Sequence, residues 1–465
     1  MNITQKKLKI IDRWYLFCMA CIAPLIIYFN WYATGMAGLL SGYAHFKDII
    51  LQSFIHDHLI TFPMWGYGWL MLITENKLGL LLIQMGVALV SLFYFVRFLE
   101  QDKIFPIQAV RLFKMGMIVS LPWYAFHALR WPYSISASLF LCSFVLLYKA
   151  ITHTEYVWRH LIGSALCFGL LLNFRSDYWL MPIGFVFLII VFQRNKKAFL
   201  FMGVWLISIY TCLIPWALYT KKACGHYSLT STNSGHVMFI GLGNDPQNRW
   251  KIESHDGDPL MHTIVDEHFK KWKHSTLDYE ADQFLKNTFF SYISSHPWDY
   301  LKKCWYALKM SVVGGFYPGE FFMTSEKIPE VRGSYVRSLL LSALISPSFF
   351  MQHFYEIIRF IFYSVSWLMG KYLLILSYCL LPITLWSALF FACRAVSLFM
   401  LLLIAALAYQ TMLNVFCYHM ASYTSNMYVF FLLNAIYGVL LVYEWASDGF
   451  RFKFRRSRFV LGSRG

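Results

Sequence analysis

The stretch that decides the fold is VSLFMLLLIAALAYQTMLNVFC at residues 396–417, which contains no charged side chain. It is long enough to cross a bilayer, because a membrane-spanning helix needs about 20 predominantly apolar residues. Similar runs recur along the chain, and together they predict an all-α polytopic membrane protein with about ten transmembrane helices, within a range of eight to twelve. The predicted spans are approximately 13–33, 79–98, 106–126, 134–152, 160–175, 179–194, 198–217, 371–393, 396–417 and 426–444.

The amino-acid composition supports this class. Of the 465 residues, 58% are hydrophobic and 14% are charged, whereas about a quarter of an ordinary soluble domain is charged. The 43 Phe, 17 Trp and 30 Tyr together carry more apolar surface than the core of one soluble domain could bury. These figures exclude a disordered chain, and ten cysteines are too sparse for a disulfide scaffold. The net charge of +16 indicates basic loops that orient the helices, and not a nucleic-acid surface.

The positions of Lys and Arg in the short loops predict the orientation. With the N-terminus in the cytoplasm, twenty basic residues lie on the cytoplasmic side and four on the outer side. Because cytoplasmic loops carry an excess of Lys and Arg, both termini are predicted to be cytoplasmic, in the plasma (bacterial inner) membrane. The cytoplasmic residues are Lys6, Lys7, Lys9, Arg13, Arg97, Lys103, Arg111, Lys114, Lys149, Arg159, Arg194, Lys196, Lys197, Arg394 and six between Arg451 and Arg464; the outer ones are Lys47, Lys77, Arg130 and Arg175.

Two outer segments are too long to be simple connectors, and loops of this length are usually functional. The predicted organisation is an N-terminal membrane domain, 1–217, with a first outer loop at 34–78; a large, mostly helical extracytoplasmic region, 218–370; and C-terminal membrane helices with a basic cytoplasmic tail, 371–465. Inside the large region, 276–294 has the apolar spacing of a helix. The apolar stretch 338–369 is predicted to be an interfacial helix, a hairpin or an extra span.

Carboxylates in the first outer loop are the candidate catalytic groups, because the sequence has no Walker loop, HExxH or GxSxG signature. Asp48 and Asp57 either are solvated loop residues or supply a general base that acts on a sugar hydroxyl. We favour Asp57, which lies between His56 and His58 and close to the segment from Pro63 to Tyr67.

Arg175 and Asp177 are candidates for contact with a lipid phosphate. They lie two residues apart where the fifth predicted span meets the outer face. Such a pair either forms a simple ion pair or snorkels to the interface. Alternatively, the Arg175 guanidinium binds phosphate oxygens bidentately while Asp177 orients it.

Two other groups of residues leave alternatives open. His56-Asp57-His58 offers ligands for a divalent metal, although three adjacent residues do not easily face one ion. Cys224 and Cys304 are the two cysteines of the large outer region, and they either pair in an oxidising compartment or remain free thiols.

The order of these features resembles the GT-C superfamily of integral membrane glycosyltransferases, which includes the protein O-mannosyltransferases and the bacterial lipid A aminoarabinose transferase. The resemblance covers most of the chain and is loose. The segments that carry it are Met36 to Gly42, Pro63 to Tyr67, Arg175 with Asp177, Asn233 with Gly235, Gly243 to Pro246, and His296 to Leu301.

This resemblance implies a GT-C-like fold and an enzyme that takes a sugar from a polyprenyl-phosphate carrier on the outer leaflet. The acceptor would be a glycan, a lipid or a protein, and no nucleotide sugar would be used at that step. It further implies that a carboxylate of the first outer loop, here Asp57 or Asp48, activates the acceptor hydroxyl. Basic groups, here Arg175 oriented by Asp177, would hold the carrier phosphate.

Two positions depart from the pattern of this superfamily. Asn30 stands where relatives usually carry an Asp, and an Asn side chain cannot act as a base. The stretch from Tyr423 to Tyr428 lacks the Arg that relatives tend to carry there. Either other residues supply the base and the phosphate contact, or the chain is a divergent or inactive member.

Two other functions compete with a glycosyltransferase. A lipid-linked glycan flippase or transporter usually has repeated halves and breaks in its spans. This chain has Pro122, Pro215 and Pro382 in or near predicted spans, but its sequence shows no matching halves. An O-antigen polymerase or ligase would use similar lipid-linked glycans. In this sequence, only the patterns from Pro63 to Tyr67 and from His296 to Leu301 distinguish a GT-C enzyme from such a protein.

Overall fold

A computed structural model describes residues 14–15, 17–27, 64–74, 77–128, 131–193, 196–245, 247–269, 278–313, 347–390, 392, 394–417 and 424–447. Across these residues the chain forms 17 α-helices and no β-strand. In chain order they are α1 (Phe17–Ile27), α2 (Trp65–Thr74), α3 (Lys77–Gln101), α4 (Ile107–Ile118), α5 (Leu121–His127), α6 (Pro132–Thr152), α7 (Val157–Phe174), α8 (Met181–Gln193), α9 (Lys196–Thr211), α10 (Ile214–Cys224), α11 (Ser234–Gly241), α12 (Pro259–His268), α13 (Tyr279–Ser295), α14 (Pro297–Val313), α15 (Pro347–Phe390), α16 (Arg394–Met412) and α17 (Tyr428–Ser447).

Among the described residues, seven helical segments are long and apolar enough to cross a membrane, so the chain is an integral membrane protein. An eighth candidate span consists of α9 and α10, which meet at a bend of 42°. The seven segments are Leu78–Gln101, Pro132–Thr152, Val157–Phe174, Ser176–Gln193, Ser364–Phe390, Ala395–Cys417 and Tyr428–Ser447.

The sequence predicted ten spans, and two of them have no full-length counterpart in the part of the chain that the structure describes. At 13–33 the described portion contains α1, which is shorter than a span. The stretch 106–126 divides into α4 and α5. Pro122 explains this break, because proline has no N–H to donate to the carbonyl of Ile118 and its ring clashes with that carbonyl.

The bend between α9 and α10 has the same cause. Pro215 lies four residues after Thr211, the last residue of α9, so the hydrogen bond that would continue the helix cannot form. Proline at the second position of α10 is compatible with a new helix start. The predicted span 198–217 is therefore a pair of bent helices.

Residues 347–369, which belong to the apolar stretch at 338–369, are neither a hairpin nor a separate interfacial helix. They form one continuous helix with the next predicted span, α15, which has 44 residues. At 1.5 Å per residue such a helix is roughly 66 Å long, about twice the thickness of the hydrocarbon core. One half of α15 therefore extends beyond the membrane.

The spans are joined by hydrogen bonds between helices. Ser143 on α6 and Ser164 on α7 each donate to the other's backbone carbonyl at 2.9 Å. The indole N–H of Trp205 on α9 donates to the Ser164 hydroxyl at 3.0 Å. Small polar residues stabilise helix contacts in lipid, where water cannot satisfy them. These bonds fix α6, α7 and α9 together.

Asn434 joins α17 to α15 in the same way. Its amide nitrogen donates to the carbonyl and to the hydroxyl of Ser377, and its amide oxygen accepts from Thr384. One turn further along, a Cβ at Gly438 would lie 2.7 Å from the Cβ of Leu380. The absence of a side chain at this glycine lets the two helices approach closely.

A second hydrophobic core lies outside the membrane helices. It is formed by α11, α12, α13 and the loop between α11 and α12, with Phe239, Ile252, Met261, Leu285 and Phe289 among its buried side chains. All of its residues fall inside the predicted outer region 218–370. We call α11 to α14 the cap. The helix predicted at 276–294 is confirmed as α13, Tyr279–Ser295.

The two candidate cysteines of the predicted outer region do not form a disulfide. Cys224 and Cys304 are both free thiols, Cys224 on α10 and Cys304 buried on α14. Burial raises the pKa of the Cys304 thiol. A buried thiol with a raised pKa is a packing residue, because the reactive form of cysteine is the thiolate.

The orientation of the helices is testable by labelling. A cysteine that replaces Asp256, a highly exposed residue of the cap, should react with an impermeant thiol reagent in intact cells or spheroplasts. A cysteine that replaces Lys196, exposed at the start of α9, should react only after permeabilisation, because the excess of basic residues predicts that this end is cytoplasmic. The reverse labelling pattern would invert the whole topology.

Candidate functional site

The turn between α7 and α8 contains both residues predicted to contact a lipid phosphate. Helix α7 ends at Phe174, Arg175 adopts an extended backbone, and Ser176–Tyr178 form a short 3-10 turn. Pro182, the second residue of α8, has no N–H for the carbonyl of Tyr178, so the 3-10 turn does not run on into α8 as one regular helix. The turn therefore brings Arg175 and Asp177 to the same end of a candidate span.

Arg175 and Asp177 form a bidentate ion pair. The guanidinium Nε and Nη2 each donate to one carboxylate oxygen of Asp177 at 2.9 Å. The guanidinium also lies over the ring of Tyr133, 3.7 Å from its centre. Only 13% of the Arg175 side chain and 17% of the Asp177 side chain is exposed. A planar cation that is stacked on one face and paired at one edge has little freedom to turn.

Three separate parts of the chain converge on this turn. The hydroxyl of Tyr409, from α16, donates to the backbone carbonyl of Asp177. The hydroxyls of Ser176 and Ser231 lie 3.0 Å apart, and Ser231 donates to the side-chain oxygen of Asn233 at 2.7 Å. Asn233 was singled out in the sequence, and it precedes the first helix of the cap. The turn is therefore the place where α7, α16 and the entrance to the cap meet.

The described end of the first outer loop packs at the same place. A Cβ at Gly66 in α2 would lie 2.7 Å from the carbonyl oxygen of Asn173. The ring of Trp65 lies 4.8 Å from that of Tyr219 and 5.6 Å from that of Trp216. Trp65, in the described end of the segment 34–78, thus contacts Tyr219, the second residue of the predicted region 218–370.

The predicted bases and the predicted metal cluster lie outside the described residues. These are Asp48, Asp57, His56 and His58, together with Asn30. Where the structure describes the chain, no group of three or more His, Cys, Asp or Glu could hold a metal ion. That Asp57 or Asp48 lies in the same site as Arg175 stays a prediction.

The glycines of the Asn-x-Gly and Gly-x-Asn-x-Pro patterns are packing residues of the cap. A Cβ at Gly235 would overlap the backbone carbonyl oxygen of Asp282, and one at Gly243 would lie 2.5 Å from that of Ile252. The Asp282 carboxylate accepts from the backbone N–H of Gly235 at 2.5 Å at the start of α11. Burial raises the pKa of Asp282, although its hydrogen bonds oppose this shift. Sequence reasoning missed Asp282, because nothing along the chain links position 282 to position 235.

Lys303 is a second residue that the sequence did not reveal. It is fully buried on α14, and its ammonium donates to the backbone carbonyls of Val415 at 3.1 Å and Cys417 at 2.9 Å. These carbonyls belong to the last turn of the span Ala395–Cys417, and the helix dipole favours a cation at that C-terminal end. Burial lowers the pKa of Lys303 to about 8. In the sequence Lys303 follows Lys302 and resembles a solvated charge.

A small cavity inside the bundle, lined by both apolar and polar side chains, is a third feature that the sequence did not reveal. It has a volume of about 20 Å³, enough for one water molecule. Both amide atoms of Asn426 are buried and have no hydrogen-bonding partner among the described residues. Irregular backbone at membrane depth is tolerated where it lines such a cavity. The polar side chains at its wall are Ser91, His127, Ser138, Ser425 and Asn426.

No protein-family model, no curated protein and no solved structure matches this chain.

Proposed function

We propose that this protein is a glycosyltransferase that moves a sugar from a polyprenyl-phosphate carrier to a glycan, lipid or protein acceptor on the outer face of a bacterial inner membrane. The observation that supports this proposal most directly is the arrangement at Arg175. Its guanidinium is held in one orientation by Asp177 and Tyr133, at the end of a candidate span and beside the entrance to the cap. A lipid-linked phosphate would lie at such a level.

The chemistry assigns a separate role to each group. As the carrier leaves, negative charge develops on its phosphate, and a fixed cation stabilises that charge. Arg175 fulfils this role, and Asp177 is a positioning residue that holds the guanidinium. The acceptor hydroxyl does not ionise near neutral pH, so Asp57 or Asp48 removes its proton during the attack. A divalent metal, if the reaction uses one, would bind near His56 and His58. Nucleic acid has no part in this function.

The substitution Arg175→Ala should weaken donor binding about 10- to 100-fold, because one charge-assisted hydrogen bond contributes roughly 1.5–3 kcal/mol. The measurement is the transfer rate of the purified protein as a function of donor concentration, over a panel of polyprenyl-phosphate sugars. Because the donor phosphate is already negatively charged before transfer, Arg175 binds it in the ground state as well, and the effect should appear mainly as an increase in the KM for the donor.

Arg249 provides the matched control for this substitution. It also forms an ion pair with an aspartate, Asp299, but it lies on the cap and is more exposed. Arg249→Ala should leave the donor KM unchanged. Equal effects of the two substitutions would remove Arg175 from the donor site, and the absence of transfer from every donor would count against the proposed activity.

A flippase for lipid-linked glycans is the second candidate, and one observation favours it. The eighth candidate span is broken between α9 and α10. The span Ala395–Cys417 ends in a π-helical turn at Leu413–Cys417. Broken helices of this kind form substrate sites in transporters. In liposomes, movement of the same donors across the bilayer without any transfer would favour this alternative.

A further inference from the structure

Helix α14 exposes two tryptophans and a leucine and buries several polar or small residues. Trp298, Leu301 and Trp305 are 75%, 52% and 71% exposed. They are spaced by three and four positions, so they lie on one face of the helix. The buried face carries Lys303, Cys304, Ala307 and Ser311. A helix of a water-soluble cap normally has the opposite arrangement.

The buried face of α14 fixes the helix at the end of a membrane span. Lys303 donates to the carbonyls of Val415 and Cys417, and the hydroxyl of Tyr300 donates to the carbonyl of Phe416 at 2.7 Å. These carbonyls belong to the last residues of the candidate span Ala395–Cys417. Helix α14 therefore lies at the level where this span leaves the hydrocarbon core.

The last turn of the span that α14 contacts also exposes a large apolar side chain. Phe416, in the last turn of that span, is half-exposed. It lies next to α14, because Tyr300 binds its backbone carbonyl. The stripe formed by Trp298, Leu301 and Trp305 thus belongs to a helix that contacts the last turn of a candidate span, and Phe416 in that turn is itself exposed.

Helix α14 is not itself a span. It has 17 residues and contains Asp299, Lys302, Lys303 and Lys309, which is too short and too charged to cross the membrane. Lys302 and Lys309 are exposed alongside the tryptophans. Tryptophan at the level of the lipid headgroups, with lysine able to reach lipid phosphates, is the composition of an interfacial helix.

We propose that α14 lies in the headgroup region of the leaflet in which the span Ala395–Cys417 ends. Trp298, Leu301 and Trp305 insert among the lipids, and Lys302 and Lys309 contact lipid phosphates. The partner of this face is the lipid surface, and the contact seats the cap on the membrane. A second copy of the chain is the competing occupant, and the position of α14 at the end of a candidate span and the exposed lysines beside the tryptophans favour lipid.

Photo-crosslinking of the full chain in nanodiscs of phosphatidylethanolamine and phosphatidylglycerol tests this proposal. The photoreactive residue p-benzoylphenylalanine is placed in turn at Trp298, at Trp305, at Phe416 and at His255. Position 416 is the positive control for lipid contact. His255 is exposed in a polar loop of the cap, and it is the negative control.

Mass spectrometry of the intact protein should find lipid adducts at positions 298 and 305 at a yield close to that at 416 and several-fold above that at 255. Two results would overturn the proposal. One is a lipid yield at 298 and 305 no higher than at 255, and the other is crosslinking of these positions to a second copy of the chain. Because the replaced side chains are exposed, each variant should fold, and retained monodisperse elution of the purified protein verifies this.

Discussion

Asp57→Asn should lower the rate of sugar transfer at least about a hundredfold, while the protein still inserts into the membrane and binds the lipid donor. A positioned general base contributes roughly 10²–10⁴-fold to such a reaction, and an amide cannot accept the proton. The loss should appear in kcat, because the base acts on the acceptor in the transition state and not on the donor in the ground state. The measurement is single-turnover transfer from a saturating polyprenyl-phosphate sugar.

Asp48→Asn and Asp266→Asn provide the comparison. Asp48 is the other carboxylate of the first outer loop, and Asp266 is an exposed carboxylate on the cap. Asp266→Asn should keep full activity, and Asp48→Asn should keep most of it. If both Asp48→Asn and Asp57→Asn retain full transferase activity, the base lies elsewhere. A hundredfold loss for Asp48→Asn alone would exchange the roles of the two residues.

Gly235→Ala should destabilise the cap by about 3 kcal/mol or more, at the upper end of the cost of inserting atoms into a packed interior. The added Cβ would overlap the backbone carbonyl oxygen of Asp282. Backbone cannot rotate away as a side chain can, so α11 must move from α13. That movement also breaks the hydrogen bond from the Gly235 N–H to the Asp282 carboxylate. Hydrogen exchange of the amides in α11 and α13 measures this loss.

Gly257→Ala is the matched control within the cap. Its nearest neighbour would be the end of the His255 side chain at 3.3 Å, which can turn aside. We expect a change of less than about 0.5 kcal/mol, as for most surface substitutions. Equal protection of α11 in the two variants would show that the contact between Gly235 and Asp282 does not hold the cap together.

The long apolar runs could be assigned from the sequence, because a bilayer requires each spanning helix to satisfy its own backbone. The run at 396–417 is confirmed as the span Ala395–Cys417, and 134–152 as Pro132–Thr152. The stretch 106–126 was assigned wrongly. Its hydropathy suits a span, but Pro122 prevents one continuous helix, and apolarity alone does not record which backbone bonds can form.

The candidate site could be predicted only in part. Arg175 and Asp177 lie two residues apart, so their pairing is a local property that the sequence indicates. Tyr133 and Tyr409 complete the arrangement from other helices, and their contribution depends on how those helices pack. Lys303 and Asn426 were missed for the same reason. A lysine or an asparagine is recognised as buried only when its distant neighbours are known.

The sequence by itself determined that this chain is an α-helical membrane protein, because apolar length and scarce charge are properties of single segments. It also determined where α13 lies, since Pro297 ends the preceding apolar pattern. Only the tertiary structure decided that Gly235 must contact Asp282, that Lys303 binds the end of the span Ala395–Cys417, and that α14 exposes its tryptophans. These features join segments tens to more than a hundred residues apart, and such contacts are selected by packing and not by local propensity.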